Sequence, residues 1–440
     1  MFATTPNASP TPNLTITPEY KNLSHVEEII IGGGGVAAVA YAGVLDELIA
    51  TQNLTGFSLD NIKKTGGTSA GAVAAMLLSF NYSAQEIFDV LKQVNFNDVT
   101  ASKNCLLRLP LIGTIADAYS LFKSFGLYKH DALYNIIKKM VREFTKAKGC
   151  ENADATFADL KALGCKDLYV ISCKIYNAGR HWTTSPVVFS TDETPDTSVA
   201  LAVLASGCIP LFLECVRLKL VAPGKFIKVS DESGDVFCDG GLLQNYPLEL
   251  FDSPPYPAHD LSAIGSLNRP SVFNPNTLGF YLETRVGIDE IILPTVKSTP
   301  TDHAILQEFA VVNFLLAIIN GLYKSNQNAI FNVADNIART IFVDRKNILA
   351  TDFNISDEGL EQLSISGRAS TQDFIKLNSK TLIAQIEQKS IPATLAIVNP
   401  GTTPGTLFNP HRVQTADKST QVSVLENNQP ETCPPCCSIL

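Results

Sequence analysis

One short stretch, Gly66-Gly67-Thr68-Ser69-Ala70-Gly71, constrains the fold of this chain more than any other. It joins Ile62-Lys63-Lys64 to the apolar run Ala72-Val73-Ala74-Ala75-Met76-Leu77-Leu78. Small residues on both sides of Ser69 let a strand reverse into a helix without side-chain collision, which leaves the hydroxyl at the start of that helix. The positive end of the helix dipole then favours negative charge beside it. Gly67 and Gly71 bracket the serine as the glycines of a nucleophile elbow do, although the pentapeptide alone also suits an ordinary turn.

A related unit precedes it. Glu27-Glu28-Ile29-Ile30-Ile31 predicts a buried strand running into Gly32-Gly33-Gly34-Gly35, and Val36 through Ile49 predicts a helix with Tyr41, Val44, Leu45 and Leu48 on one side. A dinucleotide site would need Gly-x-Gly-x-x-Gly and a later acid, and a P-loop would need Gly-Lys-Ser/Thr; neither is present. What remains is a nest of N–H groups suited to a transient oxyanion, or a glycine turn needed only for packing. Ser83-Ala84-Gln85-Glu86 predicts a capped helix, and Ser198 to Ala205 another that ends at Ser206-Gly207. Strands are predicted at Leu168–Cys173, Pro186–Ser190, Leu213–Leu220, Phe226–Val229, Asn276–Thr284 and Ile341–Val343. Val236-Phe237-Cys238 adds one more, ending in Asp239-Gly240-Gly241, where an acid has the usual place of an active-site group or simply sits in a hairpin turn. Ala304 to Lys324 reads as a long helix, and Ser356 to Lys389 as a helical stretch broken at Gly367.

The 440 residues, 45% of them apolar, can build one large core or two. A net charge of -9 with no dense Lys/Arg run excludes a nucleic-acid partner. The start Met1-Phe2-Ala3-Thr4-Thr5-Pro6 shows no signal-peptide pattern, and the longest apolar run, Ala310 to Ile319, is too short to span a bilayer. No metal or cofactor is expected, since His25, His130, His181, His259, His303 and His411 lack ligand spacing. Seven cysteines (Cys105, Cys150, Cys165, Cys173, Cys208, Cys215, Cys238) are scattered and read as buried small hydrophobes of a reducing compartment.

The glycine loop, the serine elbow and the late Asp-Gly-Gly stand in the order seen in patatin-like phospholipases, which this chain resembles from about residue 26 to 390. Ala205-Ser206-Gly207-Cys208-Ile209-Pro210-Leu211-Phe212 is similar to that family's helix and proline turn, and Thr351-Asp352-Phe353-Asn354-Ile355-Ser356 to a segment of bacterial effector-type members. The resemblance implies a three-layer α/β/α fold around a central, mostly parallel sheet. It divides the chain into a flexible lead-in (1–24), a catalytic domain (25–398) and a disordered tail (399–440). Residues 95–150 would be core helix or a cap or lid that receives acyl chains. It also implies a phospholipase A or lysophospholipase with a Ser69/Asp239 dyad and an oxyanion hole at Gly33, Gly34 and Gly35. The chain departs from the family at Ala37, where an Arg or Lys is usual. That departure leaves a second reading open, a catalytically weak or inactive module that binds lipid or protein. A triad of Ser69, Asp239 and either His259 or His303 is a further alternative.

The chain ends in Cys437-Ser438-Ile439-Leu440, a prenylation pattern whose terminal leucine indicates geranylgeranyl on Cys437, or else a chance cysteine in a tail. Cys436 and Cys433 are candidates for palmitoylation as the second anchoring signal. The expected partners are therefore a phospholipid or lysophospholipid, a membrane surface, a host prenyltransferase and a host protein activator. The expected location is the cytosolic face of a membrane, in a host cell.

Overall fold

Three consecutive isoleucines set the layering. In the computed structural model, strand β1 (Glu28–Ile31) turns Ile29 and Ile31 toward one apolar cluster and Ile30 toward another. A strand buried on both faces lies at the centre of a sheet covered on both sides. The structure describes residues 23–94, 125–179, 181–252, 273–292, 329–350 and 354–377, with Val99, Gly321 and Asp352, all within the unit spanning residues 1–390. The lead-in to residue 22, most of 95–124, the helix predicted at 304–324 and the tail from 399 lie outside these residues, as do His259, His303, Cys433, Cys436 and Cys437.

Beyond β1 come helix α1 (Ala40–Ala50), strand β2 (Lys64–Thr68) and helices α2 (Ala70–Ser79) and α3 (Ala84–Lys92). Strand β3 (Gly126–Tyr128) and helix α4 (Asp131–Ala147) lead to the long strand β4 (Asp167–Asn177) and β5 (Trp182–Ser190). Helix α5 (Val199–Gly207) is followed by β6 (Leu211–Leu213), β7 (Val216–Ala222), β8 (Lys225–Lys228) and β9 (Asp235–Asp239). Strands β10 (Thr277–Glu283) and β11 (Thr340–Asp344) and helix α6 (Asp357–Leu377) complete the set used below. The main sheet runs β11-β10-β1-β2-β4-β9-β7-β8, with β5 on the other edge of β4. Strands β11, β10, β1, β2 and β4 are parallel, and the rest join antiparallel. This is the three-layer α/β/α architecture the resemblance implied.

Strand β2 runs through the glycines: Gly66, Gly67 and Thr68 pair with Tyr169, Val170 and Ile171, so the reversal is compressed into Ser69. Two local expectations need correction. The helix expected from Val36 begins as a 3₁₀ turn, Gly35–Val39, and becomes α-helical at Ala40. Helix α6 runs unbroken through Gly367, because that glycine lets α1 approach; a Cβ there would lie 2.0 Å from the Ala40 carbonyl oxygen. The capping box at Ser83 and Glu86 forms as expected. Of the 95–150 segment, α4 is packed on the core through Ile137, Met140, Val141 and Phe144.

Candidate active site

The register of β4 decides where the site can form. Its residues Tyr169–Ile171 pair with β2 on one edge and β5 on the other, and Ser172–Ile175 pair with β9 and again with β5. Strands β2 and β9 therefore share the same edge of β4 and meet tip to tip: Thr68 lies opposite Ile171, and Asp239 opposite Ser172. A residue just after β2 and the last residue of β9 are forced together although 170 positions separate Ser69 from Asp239 in the chain.

Ser69 occupies the junction with φ 57° and ψ -130°, a backbone region sparsely used by residues other than glycine. The turn is held by its surroundings. The Ser69 N–H donates to Ser206 Oγ at 2.8 Å, and Ser206 Oγ donates to the Ile171 carbonyl at 2.5 Å. Thr68 Oγ1 donates to the Gln244 carbonyl. Close packing explains the elbow glycines: a Cβ on Gly67 would stand 2.4 Å from the Gly71 oxygen, and one on Gly71 would stand 2.4 Å from the Ile31 oxygen. Ser69 is the N-cap of α2, yet its hydroxyl makes no capping bond. It acts instead on the Asp239 carboxylate, whose proton affinity it lowers.

Both residues are buried, Ser69 at 7% exposure and Asp239 at 2%. Burial raises the Asp239 carboxyl to about 6, while hydrogen bonds from the Ser69 hydroxyl and the Gly241 N–H hold it back from rising further. Asp239 Oδ1 accepts that Gly241 N–H at 2.7 Å, and its own N–H donates to the Cys208 carbonyl at 2.8 Å. One backbone donor thus fixes the carboxylate, and a second backbone bond fixes the main chain that carries it. It is basic enough near neutral pH to draw on a hydroxyl proton.

The glycine loop passes against the serine, since a Cβ on Gly33 would lie 3.1 Å from Ser69 Cβ. Gly33 differs from expectation as a donor: its N–H is committed to the Asn245 carbonyl at 2.9 Å, and Asn245 Nδ2 returns a bond to the Gly33 oxygen at 3.3 Å. Among the described residues, the N–H groups of Gly34 and Gly35 have no such acceptor. Ala37, where the family carries a basic residue, is fully buried, so backbone dipoles are the positive groups this loop offers. Ser206 and Asn245 brace the site without having been singled out for it; a serine ending an apolar helix and an asparagine just after the Asp-Gly-Gly helical turn were the available signals.

His259 and His303, the alternative triad members, lie outside the described residues. His130 is buried against the Glu214 carbonyl oxygen at 3.2 Å, and burial lowers its basicity. A cavity of about 630 Å³, lined by Tyr176, Trp182, Arg217, Glu232 and Asp235 among others, includes neither Ser69 nor Asp239. Among the described residues, no helix is long and apolar enough to cross a membrane.

A serine held in a strained elbow at a strand-to-helix reversal, beside a buried acid and a glycine loop, has the arrangement of a serine-elbow α/β fold. The chain belongs to the patatin-like phospholipases, whose family pattern matches residues 29–252. It is 26% identical over 237 residues to the uncharacterized protein R571 of Acanthamoeba polyphaga mimivirus, covering 54% of this chain and 65% of that one. It is 21% identical over 239 residues to a protein of Invertebrate iridescent virus 6 named "Probable lipid hydrolase 463L", covering 54% of this chain and 66% of that one. The matched region spans about two thirds of the length of each relative. Among solved structures, VipD from Legionella pneumophila is similar, with a TM-score of 0.43 and 15% identity over 80% of this chain and 67% of that chain.

Proposed function

We propose that this protein is a lipid acyl hydrolase of the phospholipase A or lysophospholipase class, working through a Ser69/Asp239 dyad. The observation that carries the reading is the register that brings Ser69, just after β2, against the buried Asp239, whose proton affinity burial raises. Ser69 Oγ bonds to the ester carbonyl carbon as Asp239 takes its proton. The oxyanion is held by the free N–H groups of Gly34 and Gly35, with Gly33 shaping the loop. The tetrahedral adduct collapses, the C–O bond to the lipid alcohol breaks, and Asp239 returns the proton to that oxygen. Water, deprotonated by the same carboxylate, then releases the acyl group as a fatty acid. Family membership and the name of the viral relative support a lipid ester as substrate.

The tail supplies the tether in this reading. Geranylgeranyl on Cys437, with palmitoyl on Cys436 or Cys433, would hold the enzyme at the cytosolic face of a host membrane beside its substrate. Membrane fractions from eukaryotic cells expressing wild type and Cys437→Ser test this; equal association removes the tether.

A fluorophosphonate probe is expected to label wild type and not Ser69→Ala. Equal labelling of both would sink the mechanism. Fatty-acid release from mixed phospholipids, with and without eukaryotic cytosol as the source of an activator, is expected for wild type and absent for Asp239→Asn. Turnover retained by a folded Asp239→Asn places the base elsewhere.

A further inference from the structure

Three cysteines that look scattered in sequence converge on the strand that carries the carboxylate of the candidate site. Cys173 of β4 is directly opposite Cys238 of β9. Val216 of β7 is opposite Phe237, and by that antiparallel register Cys215 falls opposite Cys238 on its other side. Register therefore places Cys238 between Cys173 and Cys215, and the three cysteines stand in a row across the sheet. A fourth cysteine, Cys208, accepts the Asp239 N–H through its backbone carbonyl. Cys238 is also the residue immediately before Asp239. Facing antiparallel residues lie roughly 4.5–5.5 Å apart between Cα atoms, within the span a disulfide bridges.

Accessibility ranks the three thiols. Cys173 and Cys238 are buried, whereas Cys215 is only half-buried. Among the described residues, no group of three or more His, Cys, Asp or Glu is arranged to hold a metal ion, which leaves thiol redox chemistry as what the row can do. The neighbouring thiols, and burial after them, push the Cys238 thiol up, so the more exposed Cys215 is the one that meets peroxide first.

We propose that Cys215 and Cys238 form an oxidative modification site, in which a peroxide converts the pair to a disulfide that displaces Asp239. The Cys215 sulfur attacks one peroxide oxygen, the O–O bond breaks, and the departing hydroxide takes the Cys215 thiol proton, giving a sulfenic acid and one water. Cys238 sulfur then attacks the sulfenic sulfur, its proton leaves with the hydroxyl as a second water, and the S–S bond forms. The two thiols lose two electrons, and the peroxide gains them. The new bond draws β9 toward β7 one residue before Asp239. A displacement near 1 Å of a catalytic group costs on the order of a hundredfold in rate. A thiol reductant reverses the step and restores the register.

This consequence for activity rests on the dyad reading, whereas the disulfide itself does not. Full-length wild type and Cys215→Ser are treated with hydrogen peroxide, alkylated and mapped by peptide mass spectrometry, with hydrolysis of a water-soluble ester followed in parallel. Expected are a Cys215–Cys238 peptide, loss of two hydrogens, at least a tenfold fall in kcat with KM little changed, and recovery with dithiothreitol. Cys215→Ser is expected to keep the activity of untreated wild type and to resist peroxide. Free thiols at both positions after treatment, a Cys173–Cys238 link in their place, or equal peroxide sensitivity of Cys215→Ser overturns the proposal. If wild type hydrolyses no ester but the Cys215–Cys238 peptide forms, the modification site stands and the dyad reading falls.

Discussion

At the scale of single residues, the acid of the proposed dyad sets two pH dependences of opposite character. Asp239 titrates near 6 rather than 3.8 because burial disfavours its charged form. As a base it acts only when ionised, so kcat/KM on a water-soluble ester is expected to rise about tenfold per pH unit below 6 and to level above it. A profile flat from pH 5 to 8, with the fold intact by circular dichroism, would remove Asp239 from the base's role. Stability runs the other way. A carboxyl whose folded value lies above its unfolded one contributes stability that is complete below pH 3.8 and lost as pH rises through about 6. At pH 8 the ionised group therefore opposes folding by about 1–3 kcal/mol. Asp239→Asn keeps an acceptor for the Gly241 N–H without the charge. It is expected to be more stable than wild type in urea at pH 8, by that order, and indistinguishable at pH 4.

At the scale of elements, the packing of α6 on α1 shows where local rules lose to contact. Gly43 and Gly367 face each other: a Cβ on Gly43 would sit 2.0 Å from the Ser364 oxygen, and one on Gly367 would sit 2.0 Å from the Ala40 oxygen. Helix propensity alone says that Gly367→Ala stabilises by about 1 kcal/mol. Backbone atoms cannot yield as side-chain tips do, so overpacking of about 1–3 kcal/mol is expected to win. A lower denaturation midpoint for Gly367→Ala is the expected result, and a higher one would show that the helices can separate freely. The same contrast explains what was legible in the sequence. β1, the capping box at Ser83, the serine elbow and Asp239 at its strand end are written in neighbouring residues. The break wrongly expected at Gly367 came from reading a glycine without its neighbour in space. The brace from Ser206 and the clamp from Asn245 cross 137 and 212 residues, and no local pattern records such partners. The thiol row was hidden for the same reason, since strand register and not spacing brings Cys173, Cys215 and Cys238 together.

At the scale of the whole molecule, the sheet separates chemistry from anchorage. The glycine loop and Ser69 follow the C-terminal ends of β1 and β2, while a buried polar network ties the opposite ends of the parallel strands. Glu28, opening β1, accepts from Thr277 and Asn274 and pairs with Lys64 at the start of β2. Arg339, just before β11, forks onto Asp252 at 2.5 and 2.6 Å, with both side chains at 3% exposure or less. Its remaining donors go to Asn336 and the Asn274 carbonyl. Removing one member of such a pair leaves a buried charge without its counterion, at a cost of about 3–5 kcal/mol. Arg339→Met is therefore expected to lower Tm by several degrees while leaving kcat unchanged below the transition, because the network lies at the end of the sheet away from Ser69. Arg339→Met combined with Asp252→Leu is expected to recover part of the loss, since the uncompensated carboxylate goes with its partner. Thermal melts and ester hydrolysis on Arg339→Met, Asp252→Leu and the double variant decide it: a double variant less stable than the sum of the singles would mean that the network binds the strand ends by shape rather than by charge. A fall in kcat with the fold intact would mean that the two ends of the sheet are coupled.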